Sequence, residues 1–149
     1  MQNIIPNLWF DGNAKEAVEF YTSVFPNSKV SSTVYYPKEN LPEFQKEFAG
    51  KILSIDYELN GNRFTAINAG PEFKFTEAVS FLITCKDQEE IDYYWGKLSS
   101  VPESEQCGWC KDKYGLSWQV VPENLEELMK RPDAFNSLMQ MHKIVIADF

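Results

Sequence analysis

Residues 8–21 read LWFDGNAKEAVEFY and residues 82–95 read LITCKDQEEIDYYW. Each stretch opens on a β-prone apolar run and then meets a capping box, Asn13 with Glu16 in the first and Asp87 with Glu90 in the second. Each continues as a helix with one apolar face: Ala14, Ala17, Val18, Tyr21 and Phe25, then Ile91, Tyr94, Trp95 and Leu98. The boxes stand 74 residues apart (87 − 13), which marks an internal duplication of half a domain.

Working outward, a strand is expected over 4–10, closed by Asp11-Gly12, and Pro26-Asn27 stops the first helix. A strand over 29–36 follows, then a polar loop over 37–50 with a short helix at 43–48. Residues 51–59 alternate cleanly, and Asn60-Gly61, a strong hairpin signal, leads into a partner strand over 63–68. The second half gives strands over 78–85, 106–111 and 116–121, with a loop over 99–105. Short helices over 124–130 and 133–141 and a terminal strand over 143–147 complete the chain. The fold class expected is α+β: one domain, 1–149, of two βαβββ units (1–70 and 77–122) forming a cupped mixed sheet with helices outside, plus a C-terminal helical tail over 123–149.

Alternation assigns faces. Leu53, Ile55, Val79, Phe81, Ile83, Leu116, Trp118 and Val120 are expected against the helices. Asn7, Trp9, Ser54, Asp56, Glu58, Asn68, Ser80, Leu82, Thr84, Ser117 and Gln119 are expected in the cup.

A length of 149 residues suits one domain with its own core, and 15% aromatic residues leave a surplus for a cavity or an interface. A net charge of -8 without a basic cluster repels phosphate backbones and anionic lipid, so neither nucleic acid nor membrane is expected as a partner. Apolar runs are strand-length and the first ten residues lack signal-peptide character, which reads as cytoplasmic. Three cysteines, an odd number, argue for reduced thiols rather than a disulfide framework.

LWFDGNA at 8–14, Phe20-Tyr21, LNG at 59–61, FTAIN at 64–68, Ser80-Phe81, CGW at 107–109 and KDKYGLSWQ at 111–119 together resemble the PhnB-like branch of the vicinal oxygen chelate (glyoxalase/bleomycin resistance/dioxygenase) superfamily. The resemblance spans nearly the whole chain and implies a glyoxalase/bleomycin-resistance-like fold and a homodimer. Such proteins are often labelled as a 3-demethylubiquinone-9 3-methyltransferase domain. A methyltransferase using S-adenosylmethionine would be expected to carry a Gly-rich strand-to-helix turn in a doubly wound sheet, whereas Gly12 and Gly61 stand alone. Metal-using members of the superfamily draw ligands from positions that fall here near Pro6 or Asn7, Ala66 or Asn68, Ser80, and Gln119. None is His, Asp or Glu, and the single histidine, His142, lies in the tail, so no metal and no other cofactor is expected.

Asp56 and Glu58 share a strand face about 7 Å apart and are the candidate catalytic pair: enclosure and mutual repulsion would make one a general base, and a wetted face would leave both ordinary. Cys107 and Cys110 have the spacing of a dithiol or half a zinc site, against structural packing as the plainer interpretation. Trp9, Trp109 and Gln119 offer aromatic plates and an amide to a planar or carbonyl-bearing molecule, with core packing as the alternative for both tryptophans and an interface as a further one for Trp109. Asp112 with Gly115 looks like a turn device. The function expected is metal-independent binding of a small organic molecule by Asn7, Trp9, Asp56, Glu58, Asn68, Ser80, Trp109 and Gln119. The alternatives are a metal-dependent lyase, isomerase or dioxygenase of the superfamily type, and a thiol redox protein using Cys107 and Cys110.

Overall fold

The computed structural model describes residues 2–149, which fall into two compact units, one running to Lys74 and the other from Phe75 to Phe149. The first unit is a βαβββ unit: β1 (Asn7–Asp11), α1 (Ala14–Val24), β2 (Lys29–Tyr35), β3 (Ile52–Leu59) and β4 (Asn62–Ala69). Its sheet has the order β1-β4-β3-β2, with β1 parallel to β4 and the other pairs antiparallel. The β3–β4 hairpin turns at Asn60 (φ 49°) and Gly61 (φ 81°), both left-handed, as a two-residue turn with this twist requires.

Against this sheet α1 buries Ala14, Ala17, Val18, Tyr21 and Val24. The strands answer with Leu8, Phe10, Ile55, Tyr57, Leu59, Phe64 and Ala66, all buried. Removing a large apolar side chain from water contributes about 1.5–3 kcal/mol, so this face is the main source of the unit's stability. Asn13 makes no side-chain cap, contrary to the capping box expected there. Instead Asn68 supplies the acceptor: its Oδ1 takes the Ala14 N–H at 3.1 Å and its Nδ2 donates to the Ile52 carbonyl at 2.9 Å. The edge strand β2 is exposed at all seven residues and is interrupted by two bulges, between Val30 and Ser32 and between Val34 and Tyr35. Residues 36–51 form the expected loop, with a 3-10 turn at Glu43–Phe48 and Phe48 stacked on Tyr36.

The second unit contains β5 (Ser80–Cys85), α2 (Gln88–Leu98), β6 (Trp109–Lys111) and β7 (Ser117–Pro122), in the order β5-β7-β6. It is therefore βαββ, one strand short of the βαβββ unit expected. Where that strand would run, the chain makes a 3-10 turn at Pro102–Ser104 and only an isolated bridge between Gln106 and Trp109. The backbone donors of Cys107 and Gly108 are taken by the Met141 and His142 carbonyls of the tail. The tail holds the short helices α3 (Leu125–Leu128) and α4 (Ala134–Met139). The terminal strand expected over 143–147 does not form. Ile144 is fully buried, and the Gln88 side chain bonds the Ile144 carbonyl and the Ile146 N–H, so an amide side chain replaces a strand partner.

The helices α1 and α2 are both eleven residues long and keep the offset of 74 at each end. The strands before them do not. The last helix-facing residues are Phe10 on β1 and Cys85 on β5, 75 apart (85 − 10), because the second connection is one residue shorter. Leu8 is buried against α1, while Leu82 lies on the opposite face, 53% exposed. Val79, expected against α2, precedes β5 and is 61% exposed.

Replacing Asn68 by Ala leaves the Ile52 carbonyl and the first N–H of α1 without this amide. We expect a loss of about 1–3 kcal/mol in urea unfolding with the slope unchanged; a loss under about 0.3 kcal/mol would show that water replaces the amide.

Candidate functional site

Each sheet has one face packed on its helix and one face free of it. In the first unit the register pairs Asn7 with Thr65, Trp9 with Ile67, Ser54 with Ile67, Asp56 with Thr65 and Glu58 with Arg63, and these side chains share the helix-free face. Asn7, Trp9, Asp56 and Glu58 thus fall together as expected. Asn68 does not: it pairs with Phe10, lies on the helix side, and spends its amide on the start of α1. Thr65 and Ile67 hold the positions that sequence reasoning gave to Asn68. The hairpin contained the missing signal, because counting outward from Asn60-Gly61 sets Leu59 against Asn62 and hence Asp56 against Thr65.

Trp9 is half-buried. Its Nε1 donates to the Gly70 carbonyl at 2.8 Å, and the Phe73 ring meets it edge-on with centroids 4.8 Å apart. Asp56 accepts Thr65 Oγ1 at 2.7 Å and Ser32 Oγ at 3.1 Å, one hydroxyl on each oxygen. Glu58 faces the exposed Lys29 ammonium at 3.5 Å. Both carboxylates are thus engaged by groups on their own sheet. Asn7 is exposed and donates back to the Ile5 carbonyl.

In the second unit the helix-free face carries two rows that cross all three strands. One is Ser80, Ser117 and Lys111; the other is Leu82, Gln119 and Trp109. Gln119 Nε2 donates to Ser80 Oγ at 2.9 Å, linking the rows. Of the expected residues, Ser80, Trp109 and Gln119 share this face, and Lys111 joins them.

Asp112 is the turn device expected, with more to hold than a turn. Asp112 is 1% exposed; its Oδ1 accepts the Tyr114 and Leu116 N–H groups, and its Oδ2 accepts Trp118 Nε1 at 2.9 Å. Gly115, at φ 87°, closes the turn.

Cys107 (φ 43°) and Gly108 (φ 91°) form a left-handed turn, so they do not lie on the extended strand expected over 106–111. A Cβ at Gly108 would sit 2.8 Å from Ile144 Cδ1, so the position excludes a side chain on two grounds. Cys110 is buried on the helix side, paired with Trp118. Burial pushes the Cys110 thiol up to about 12, with the charges of Asp112 and Glu105 adding to it; burial raises Cys107 as well. Activated dithiols show the opposite shift. Cys85 is likewise pushed up to about 12, first by burial and then by Glu90 and Asp87. His142 is exposed, with Nδ1 2.9 Å from the Glu105 carbonyl.

The places that would supply a metal do not fit one. Ala66 is fully buried against α1 and Asn68 is on the helix side, so the helix-free neighbours are Thr65 and Ile67. Ser80 and Gln119 are neutral and bonded to each other. No group of three or more His, Cys, Asp or Glu side chains able to hold a metal occurs among the described residues.

The model of the family described as 3-demethylubiquinone-9 3-methyltransferase matches residues 2–121. The chain belongs to this family. A putative 3-demethylubiquinone-9 3-methyltransferase, a PhnB protein from Bacillus cereus, is 35% identical over 80% of this chain and 99% of its own, with a TM-score of 0.64. This PhnB-like chain also shares its fold with more distant structures. A protein from Pseudomonas aeruginosa is 16% identical, with a TM-score of 0.62 over 82% of this chain and 98% of its own. The fosfomycin resistance protein from Listeria monocytogenes is 16% identical, with a TM-score of 0.54 over 87% and 98%. The architecture is thus that of the vicinal oxygen chelate superfamily, with mixed sheets of four and three strands. No curated protein matches the chain. Among the described residues no helix is long and apolar enough to cross a membrane.

Thiol chemistry is open to test. With a thiol reagent, Cys107 is expected to label first and Cys85 and Cys110 only as fast as the protein unfolds. Joint loss of Cys107 and Cys110 under mild oxidation would restore the redox alternative. Because the folded Cys85 and Cys110 thiols titrate near 12 and an ordinary one near 9.0, their protonated burial stabilises the fold below pH 9. That stability drains away as pH climbs toward 12, so the urea midpoint should fall across this window, and less steeply in Cys110→Ser.

Proposed function

We propose that the protein binds a small organic molecule without a resident metal on the helix-free sheet face of its second unit, through Ser80, Trp109 and Gln119, with Asn7, Trp9, Asp56 and Glu58 as the candidate binding residues on the helix-free face of the first unit taken by itself. The observation that supports this most directly is the Gln119–Ser80 pair. Gln119 lies in strand β7 between the buried Trp118 and Val120, where an amide costs free energy unless it is used. One Nε2–H is given to Ser80 Oγ, which leaves the second Nε2–H and the hydroxyl hydrogen as donors and the amide oxygen as an acceptor. Trp109 stands beside them in register and supplies a flat apolar wall. This pattern suits a compact molecule with a carbonyl or hydroxyl group on a planar body.

The Listeria fosfomycin resistance protein has been solved with Mn(II). That chemistry is not carried over, because the donor set here offers amides and hydroxyls where a divalent ion needs imidazole or carboxylate. Methyl transfer from S-adenosylmethionine is not part of the proposal either: both sheets are mixed, and Gly12 after β1 is not followed by a Gly-rich turn. A homodimer is part of the proposal, and sedimentation at micromolar concentration tests it: a species of twice the 17.2 kDa chain mass is expected.

The metal content of the purified chain and its melting temperature with zinc, nickel, manganese, iron and chelator test the central premise. No stoichiometric metal and no thermal shift are expected, and a metal at one per chain with a clear shift would overturn it. A melt screen of planar carbonyl and hydroxyl compounds should then give hits whose shifts fall by more than half in Gln119→Leu and Trp109→Ala.

A further inference from the structure

The row Ser80, Ser117, Lys111 runs across all three strands of the second sheet, so two hydroxyls and an ammonium stand side by side on the helix-free face. Ser117, on the central strand, is 1% exposed, and its Oγ has no hydrogen-bond partner. A buried hydroxyl without a partner is costly and rare, and it marks a position where a group is missing. Lys111 is only 24% exposed at its side chain and is closed over by a carboxylate, that of Glu77, which is 62% exposed and lies in the irregular segment before β5. The Lys111 ammonium, by hydrogen bond first and charge second, holds the Glu77 carboxyl below its usual range. In a chain of net charge -8, a half-buried cation at the end of a row of two hydroxyls, with Ser117 beside it and Ser80 one strand further, is an unusual local environment.

We propose that Lys111, Ser117 and Ser80 form a subsite for a small oxyanion group of the ligand, a carboxylate or a phosphate-type group, and that Glu77 is its internal, displaceable stand-in. The ammonium neutralises the incoming charge, and the Ser117 hydroxyl gains the acceptor it lacks. Glu77 swings out to solvent at little cost, because its own carboxylate is already 62% exposed and an ion pair with an exposed partner is weakly held. Gln119, bonded to Ser80, connects this anion position to the carbonyl-reading row, so one molecule carrying an acidic group beside a planar body spans both. The inference rests on the small-molecule function proposed above and assigns that molecule its charge.

The test is a titration of the full-length chain with inorganic phosphate, at ionic strength held constant with sodium chloride, followed by amide and side-chain NMR. Saturable shifts are expected at Ser80, Lys111 and Ser117. Glu77→Gln should tighten binding about two- to fivefold by removing the internal competitor. Lys111→Met should weaken binding at least tenfold, with Lys111→Gln as a second variant and both checked for an unchanged melt without phosphate. Shifts that never saturate, or that persist equally in both Lys111 variants, would overturn the subsite. Lys111-dependent binding indifferent to Glu77→Gln would overturn the role of Glu77. If phosphate fails while Gln119-dependent hits from the melt screen remain, the anion subsite alone falls; if both fail, the small-molecule function falls with it.

Discussion

The two-residue turn at Asn60-Gly61 is the constraint on which the first unit depends. It fixes β3 against β4 residue by residue, and with a side-chain period of two that register settles which side chains see α1 and which do not. Ala66 and Phe64 then reach the helix, and Asn68 arrives where the first N–H of α1 needs an acceptor. The same even-numbered set packs the core and caps the helix, so the site face is left to the odd-numbered residues Arg63, Thr65 and Ile67. In the second unit Asp112 has the corresponding part: one buried carboxylate gathers the turn and the Trp118 indole, and so sets where β7 begins.

Much of this was legible in the sequence because short-range signals agree with the fold. Helical periodicity located both helices, the Asn-Gly pair located the hairpin, and Asp87 caps α2 as the sequence indicated, accepting the Glu90 N–H at 3.0 Å. What escaped depends on partners distant in sequence. Asn13 has the composition of a cap, but Asn68, fifty-four residues after the Ala14 whose N–H it accepts, does the capping. Residues 143–147 have strand composition, yet the Gln88 side chain takes their backbone groups. The fourth strand of the second unit was expected from the duplication alone, and the tail carbonyls of Met141 and His142 occupy its place.

The candidate site was legible in its residue types and less so in its geometry. Trp9, Asp56, Ser80 and Gln119 were placed on the right faces by alternation, since each lies in a strand whose bounds were nearly correct. Lys111 was passed over because a lysine in a short edge strand looks like an ordinary solvent residue. Only the register that sets it beside Ser117, and the burial of that hydroxyl, give it another meaning. The unequal connections before α1 and α2 add a further limit: duplicated helices can stay in step while the strands feeding them slip by one, so a site residue cannot be carried from one half to the other by a fixed offset.

The bulged strand β2 bears on how this protein behaves in a crowded solution. A flat, fully exposed edge of seven residues would be a template on which strands of other chains could add and grow into fibres. Here the two bulges break the repeat of donors and acceptors and twist the strand, so an incoming strand finds only a few groups in phase before the match fails. The irregularity of this edge, with Lys29 at its head, thereby helps keep the chain from assembling without limit.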